Sequence, residues 1–485
     1  MTTIRAADLR LTLPQPAPRI HVDPENEEWH RGAESMDCLA VDPADADLHV
    51  TRVAPLNADL MRSAPPMLLI LGRAARRPLN AAGYSVERVV VRNGAHGPRL
   101  AFPIGNTSAA RYALETTRPT RSAVDSARTA IVRAALRVGY APADSVVTIA
   151  TRTPGPPFPI AASQHLGADA SGGWIAWFGD GDDLQRVVFH AFPYGSDVPT
   201  TVVKISRVQD NALAFAADER GLGLLNRKAP NSASMAPRIL GRFEVDGLSG
   251  SVETAALGAT LNLVLDEGES PSALAHIERV SNWLIAMGAE SAGPSSDLAP
   301  ELERISRDVL GAYAEYGVSD ALLAPLRSAP AVLAHRDPGS WNIAVSGEQF
   351  CVLDWESAAY PSIPLWDLAY FLSDAYSALD GPADADIKVG RIAALFKGEH
   401  PRSGDLMAQL ARGAAAMGLP SEAIGAAVVT GWLHHGRSLA ARAQRSSGNE
   451  VIEGLINRVA RVWLSDPLLG AEWNPERIID SELGS

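Results

Sequence analysis

Apolar positions change their spacing about halfway along the chain. Up to residue 256 they fall mostly in short runs: Met67–Leu71, Val86–Val91, Leu100–Ile104, Trp174–Phe178, Arg186–Phe192 and Thr200–Ile205. Such runs, rich in β-branched and aromatic residues and bounded by turn residues, predict strands. Ile239–Val245 and Ser251–Ala256 flank Asp246-Gly247 and predict a hairpin. Helical spacing interrupts this region over Thr107–Glu115, over Ser122–Val138, and from the Asp210-Asn211 cap to Leu225. From Pro271 onward the spacing is helical: Ser272–Met287, Leu298–Tyr316, and helices beginning near Trp366, Asp386, Asp405 and Ser421. The order predicts an α+β protein, strand-rich first and helical afterwards.

Thr151–Pro159 holds four prolines and a glycine in nine residues and reads as a linker. It suggests an ancillary α/β domain over 1–150, a linker over 151–160, a strand-rich part over 160–258 and a helical part over 259–475. Residues 30–150 show no phosphate loop, metal-ligand spacing or nucleophile motif.

One stretch carries recognisable chemistry. His335-x-Asp337-x-x-x-x-Asn342 puts a carboxylate and an amide on one loop. Ile343–Val345 and Phe350–Leu353 surround Ser346-Gly347-Glu348 as a short hairpin, which returns Asp354 beside that loop. Two carboxylates and an amide oxygen then converge, a donor set suited to Mg²⁺. With Trp366-Asp367-Leu368-Ala369 following, the pattern resembles the aminoglycoside phosphotransferase and choline kinase family, relatives of the protein kinases. The resemblance implies a bilobal kinase-like domain with a β-rich N-lobe (160–258) and a helical C-lobe (259–475). It implies Asp337 as base toward a substrate hydroxyl, and Asn342 and Asp354 as metal ligands bridging the phosphates of ATP or GTP. His335 and Asp367 become structural supports, Asp367 bracing the loop through backbone N–H groups. One position departs: the family usually has Gly where this chain has Arg336.

Lysine is scarce here, limited to Lys204, Lys228, Lys388 and Lys397. Lys204 sits inside the apolar run Val202-Val203-Lys204-Ile205, and the resemblance makes it the ammonium on the α- and β-phosphates. Glu219, fifteen residues on, is its expected partner, chosen over adjacent Asp218 for its longer side chain. Glu253–Leu257 is the implied hinge whose backbone meets the adenine. No Gly-x-Gly-x-x-Gly precedes Lys204; the phosphates are covered either near Gly179–Asp183, an acidic turn, or by Ser171-Gly172-Gly173. His434-His435 are adjacent, not at the i, i+4 spacing of a zinc pair.

Charge and cysteine content narrow the class. Forty-three basic against 56 acidic residues give −13, which argues against nucleic acid as a partner. Residues 60–140 carry 13 Arg and three acids, a local +10 that could face a protein partner, though a solvated surface is commoner. Only Cys38 and Cys351 occur, so a disulfide framework is not expected and a cytoplasmic setting is. No signal peptide or membrane span is visible. The expected activity is transfer of a γ-phosphoryl group to a hydroxyl of a small molecule, whether sugar, aminoglycoside or amino alcohol. The alternative is a catalytically weak nucleotide-binding module acting as regulator or scaffold.

Overall fold

A computed structural model of the chain describes residues 6–52, 65–94, 97–117, 127, 130–132, 134–136, 141, 145–179, 185–209, 211–445, 455–465 and 473. Most of the expected 122–138 helix, the acidic turn after Gly179 and Asp210 lie outside these. The chain divides into two compact units: residues to Phe215 with Arg238–Ala255, and Ala216–Pro237 with Ala256–Arg445 and the C-terminal segment. The architecture is mixed α+β, as expected, with the strands concentrated in the first unit.

The first unit is built on one eleven-stranded sheet. In chain order its strands are β1 (Ile20–Val22), β2 (Leu48–Thr51), β3 (Met67–Ile70), β4 (Ser85–Gly94), β5 (Gly97–Pro103) and β6 (Val146–Thr151). They continue with β7 (Gly173–Trp177), β8 (Val187–Phe192), β9 (Thr201–Ile205), β10 (Ile239–Val245) and β11 (Leu248–Thr254). Their spatial order is β1-β2-β3-β6-β4-β5-β7-β8-β9-β11-β10. β1, β2 and β3 run parallel to one another, and every other pairing is antiparallel. Burial follows position in the sheet. Central β9 is buried along its whole length, whereas edge strand β10 alternates half-buried and exposed residues.

The boundary expected at the proline-rich segment is not where the chain divides. β5 pairs with β7 across it, joining strands from both sides into one ladder. Phe158 and Ile160 are buried in the same apolar core as Leu9, Leu11 and Leu13, and the Phe158 N–H donates to the Leu13 carbonyl at 2.7 Å. Proline fixes an extended path as readily as it marks a flexible one. Here the apolar residues that follow it dock the path onto the sheet.

The second unit is helical around two small strand pairings. Helix Pro271–Glu290 starts with proline at its first position and Ser270 accepting the Ala273 N–H at 3.2 Å. Ser295–Asp308, Trp366–Leu379, Ala385–Lys397, Ser403–Met417, Ile424–Arg445 and Leu455–Ser465 complete the longer helices. The single helix expected over Leu298–Tyr316 is instead two pieces: the α-helix ends at Asp308, and Leu310–Tyr316 continues as 3₁₀ turns. Strands β12 (Ala259–Thr260), β14 (Ile343–Ser346) and β15 (Gln349–Val352) form one small sheet; β13 (Val332–Ala334) pairs with β16 (Ala359–Ser362). Among the described residues no single helix is long and apolar enough to cross a membrane.

Candidate active site

The loop after β13 is set by what surrounds it. Val332-Leu333-Ala334 is wholly buried and delivers His335 into the interior, where its ring is fully enclosed against the Trp355 indole at 4.7 Å between centroids. His335 Nε2 lies 2.9 Å from the Leu353 carbonyl, which can only accept, so Nε2 carries the proton and Nδ1 accepts the Asp337 N–H at 3.2 Å. Burial holds this imidazole's pKa below the usual value despite the Asp367 and Asp354 carboxylates, keeping it neutral. The Asp367 carboxylate accepts the His335 and Arg336 backbone N–H groups at 2.6 and 2.9 Å. Burial pushes the Asp367 carboxyl up; His335, these two N–H groups and Arg336 pull it back.

The hairpin supplies the rest. Ile343 pairs with Val352, and the Leu353 N–H donates to the Asn342 carbonyl at 2.7 Å, so Asp354 emerges beside Asn342. The Asn342 side-chain NH₂ donates to the Asp337 carbonyl at 2.9 Å and to Asp337 Oδ2 at 3.1 Å. Its amide oxygen and the Asp354 carboxylate make up an oxygen donor set. That set fits a hard divalent cation such as Mg²⁺. Gly339 is required locally: a Cβ there would meet the Trp341 indole at 2.3 Å.

Three of the five described non-glycine residues with positive φ lie in this stretch: Arg336 (φ 68°), Asp354 (φ 63°) and Leu365 (φ 68°). Left-handed backbone in a non-glycine residue costs about 1–2 kcal/mol. It persists only where the surroundings impose it. This accounts for Arg336 at a position where a relative would have glycine. Its guanidinium is buried, ion-paired to Glu301, 3.3 Å from Ser362 Oγ and over the Trp366 ring. Glu301 is held from its other side by Arg304 at 2.7 and 2.8 Å. Arg336→Gly relieves the strain but strips one partner from a buried carboxylate. A net loss of about 1–3 kcal/mol is expected in denaturant titration.

These residues fall within 256–405, the span that matches the model of the phosphotransferase enzyme family. Solved structures similar to the chain include an aminoglycoside phosphotransferase, APH(3'')-Id, from Streptomyces rimosus ATCC10970: 16% identity, covering 57% of this chain and 96% of that one, TM-score 0.34. The same protein with ADP and streptomycin aligns over 50% and 88% at 16% identity, TM-score 0.29. An aminoglycoside-3'-phosphotransferase of type VIII aligns over 44% and 89% at 14% identity, TM-score 0.28. No curated protein matches the sequence.

On the helix Ala212–Lys228, Asp218 and not Glu219 is the carboxylate that turns inward. Asp218 is buried and accepts the Trp355 N–H at 2.9 Å, fixing the residue next to Asp354; Glu219, the expected inward residue, is exposed. The signal was present in the helical period: Asp218 shares the buried stripe of Leu222 and Leu225, and side-chain length was the wrong criterion. Gly221, on the next turn, lets the helix approach so closely that a Cβ would meet the Trp355 carbonyl at 2.1 Å.

In the first unit, Lys204 lies mid-sheet on β9 and its Nζ is 2.7 Å from Glu253 Oε1, both side chains nearly enclosed. Glu253 is therefore the carboxylate the structure sets on this lysine. Glu253, at the start of the segment expected as a hinge, lies in strand β11 with its main chain paired to Val202 and Ile239. Leu257, beyond the strand, is partly exposed. Ser171-Gly172-Gly173 packs onto the end of β8, with the Gly172 N–H donating to the Phe192 carbonyl at 2.7 Å. Lys204→Met is expected to destabilise the protein by about 3–5 kcal/mol, because it leaves Glu253 buried without its cation. The double variant Lys204→Met/Glu253→Met should recover most of that loss in a denaturation experiment.

Beside Asp337 the helices contribute an aromatic wall. Tyr370 stacks on His435 at 4.5 Å, meets Trp341 edge-on at 6.2 Å and Trp432 at 5.5 Å; His434 lies on Trp366 at 4.7 Å. Burial, with Asp337 and Asp374 nearby, raises the Tyr370 hydroxyl well above its ordinary pKa, so it stays protonated. Burial pushes His435 down to about 3, with Arg336 adding to the effect. This wall is uncharged at neutral pH. Trp341 is its exposed member, 42% accessible.

Proposed function

We propose that the chain transfers the γ-phosphoryl group of ATP (or GTP) to a hydroxyl of a small molecule. The observation that carries this is the Asp337–Asn342–Asp354 constellation, assembled by one hairpin and tied down by Asp367. Asp337 accepts the hydrogen bond of the acceptor hydroxyl and takes its proton as the bond to phosphorus forms. Asn342 orients Asp337 through its NH₂ group and turns its oxygen toward the cation site. Asn342 and Asp354 would hold Mg²⁺, which when bound neutralises charge on the phosphate oxygens. In the first unit, the buried Lys204–Glu253 pair is the one that the family resemblance reads as phosphate-binding. His335, neutral and locked by Leu353, keeps the loop's shape.

Transfer of this kind depends mainly on positioning and charge neutralisation, and a loop held by so many buried contacts suits it. The exposed Trp341 indole offers a flat apolar face, which favours a ring-bearing acceptor such as a sugar or an aminoglycoside over a short amino alcohol. The test is Mg²⁺-dependent ADP formation across a panel of sugars, aminoglycosides and amino alcohols. A hydroxyl acceptor that raises ADP formation and emerges phosphorylated supports the reading. ATP consumption unaffected by every acceptor class would oppose it.

A further inference from the structure

We propose that the first unit holds a second metal site, for a divalent transition ion of the Zn²⁺ class, formed by His21, Asp23 and His49. Each of the three offers a ligand atom, and the three atoms lie within 4.8 Å of one another. No local motif announces it, because the two histidines are 28 residues apart in sequence. Strand pairing brings them together: β1 and β2 run parallel with His21 opposite His49, their rings 4.9 Å apart and edge-on. Asp23 follows His21 by two residues and so returns to the same face of the sheet. Its N–H donates to the Val50 carbonyl at 3.0 Å, which fixes it at the carboxyl end of the pair.

The arrangement has the features of a ligand set. His21 Nδ1 lies 3.2 Å from the Ala40 carbonyl, so Nδ1 carries the proton and Nε2 is left with its lone pair. An imidazole oriented by a backbone carbonyl in this way is the usual outer support of a metal ligand. Ala40 is itself fixed, since its N–H donates to the Ile20 carbonyl at 2.8 Å and the Ile20 N–H to the Cys38 carbonyl at 2.7 Å. His49 is buried, with Nε2 at 2.7 Å from Asp23 Oδ1, and its Nδ1 has no hydrogen-bond partner among the described residues. His49 Nε2, the atom that faces Asp23, is the nitrogen placed to ligate. Tetrahedral donors about 2.1 Å from one zinc ion are about 3.4 Å apart. The set would close to that spacing by side-chain rotation as the ion binds. Asp23, a quarter exposed, is the side chain with room to turn and the side from which water completes the coordination.

Two imidazoles and one carboxylate select zinc and its neighbours over magnesium, which prefers oxygen donors. The ion would take the place of the proton now shared between His49 and Asp23, so binding should release a proton. This site uses no residue of the phosphotransfer constellation.

The experiment uses the full chain, stripped with chelator and titrated calorimetrically with ZnCl₂ alone, first without and then with excess Mg²⁺. One equivalent of zinc is expected, undisturbed by Mg²⁺, and Co²⁺ should give the visible spectrum of a nitrogen-ligated ion. His21→Gln, His49→Gln and Asp23→Asn should each weaken binding at least about tenfold. Asp23→Asn, the partly exposed position, provides the test if a histidine variant does not fold. Absent or substoichiometric binding by the intact chain would overturn the proposal. So would retention of the full equivalent in folded His21→Gln/His49→Gln protein, because the ion would then lie elsewhere.

Discussion

Asp337→Asn is expected to lower turnover by about 10²–10⁴-fold while nucleotide binding survives. The substitution removes the proton acceptor and keeps the side chain's size. Asparagine has nearly the same volume, its amide oxygen can still accept from the Asn342 side chain, and the Asp337 carbonyl keeps its own bond to that NH₂ group. Its N–H still reaches His335 Nδ1. The loop should therefore keep its path, and the loss should appear in kcat with the Kd for nucleotide little changed. Full activity of Asp337→Asn on a confirmed acceptor would remove Asp337 from its role as base.

A large effect on stability is expected from Asp367→Ala. Its carboxylate is the acceptor for two buried N–H groups, those of His335 and Arg336, at 2.6 and 2.9 Å. A buried donor left without an acceptor costs about 1–3 kcal/mol, so the pair should cost about 2–6 kcal/mol. Against a typical total of about 5–15 kcal/mol this is a large share. Arg336 also loses what holds its left-handed backbone, and the loop that carries Asp337 should relax from its present path. Asp367→Asn retains one accepting oxygen and should fall between the two. Trp355 and Trp366 flank the loop, so their fluorescence during urea titration reports the difference directly. A shift in Asp367→Ala no larger than that of an exposed substitution would show that the loop holds its shape by other means.

What could be read from sequence divides by range. The hairpin that returns Asp354 to Asn342 was legible because alternation, turn residues and the pairing of Ile343 with Val352 all lie within about ten residues. Eight of the eleven strands of the first unit were legible for the same reason; β1, β2 and β6 were not among the expected runs. Residues brought together by distant pairing were not. Glu253 meets Lys204 only because β11 lies beside β9 in a particular register, and no spacing along the chain encodes that. His21 and His49 meet by the register of β1 with β2. The proline-rich segment misled because proline specifies a backbone angle; whether the path is free or docked depends on Phe158 and Ile160 finding the core. Asp218 was within reach, since the helical period places it on the buried stripe. Arg336 could be seen as a departure from the family pattern but not explained until its φ of 68° and its ion pair with Glu301 were known.

The central claim is that Asp354 and Asn342 hold the divalent cation that accompanies the nucleotide. It is tested most directly by measuring the affinity of a non-hydrolysable ATP analogue with and without Mg²⁺, in the intact chain and in Asp354→Ala. Affinity should rise with Mg²⁺ in the intact chain and be indifferent to Mg²⁺ in Asp354→Ala. An equal Mg²⁺-dependent rise in both proteins would contradict the placement of the cation and the phosphotransfer mechanism built on it.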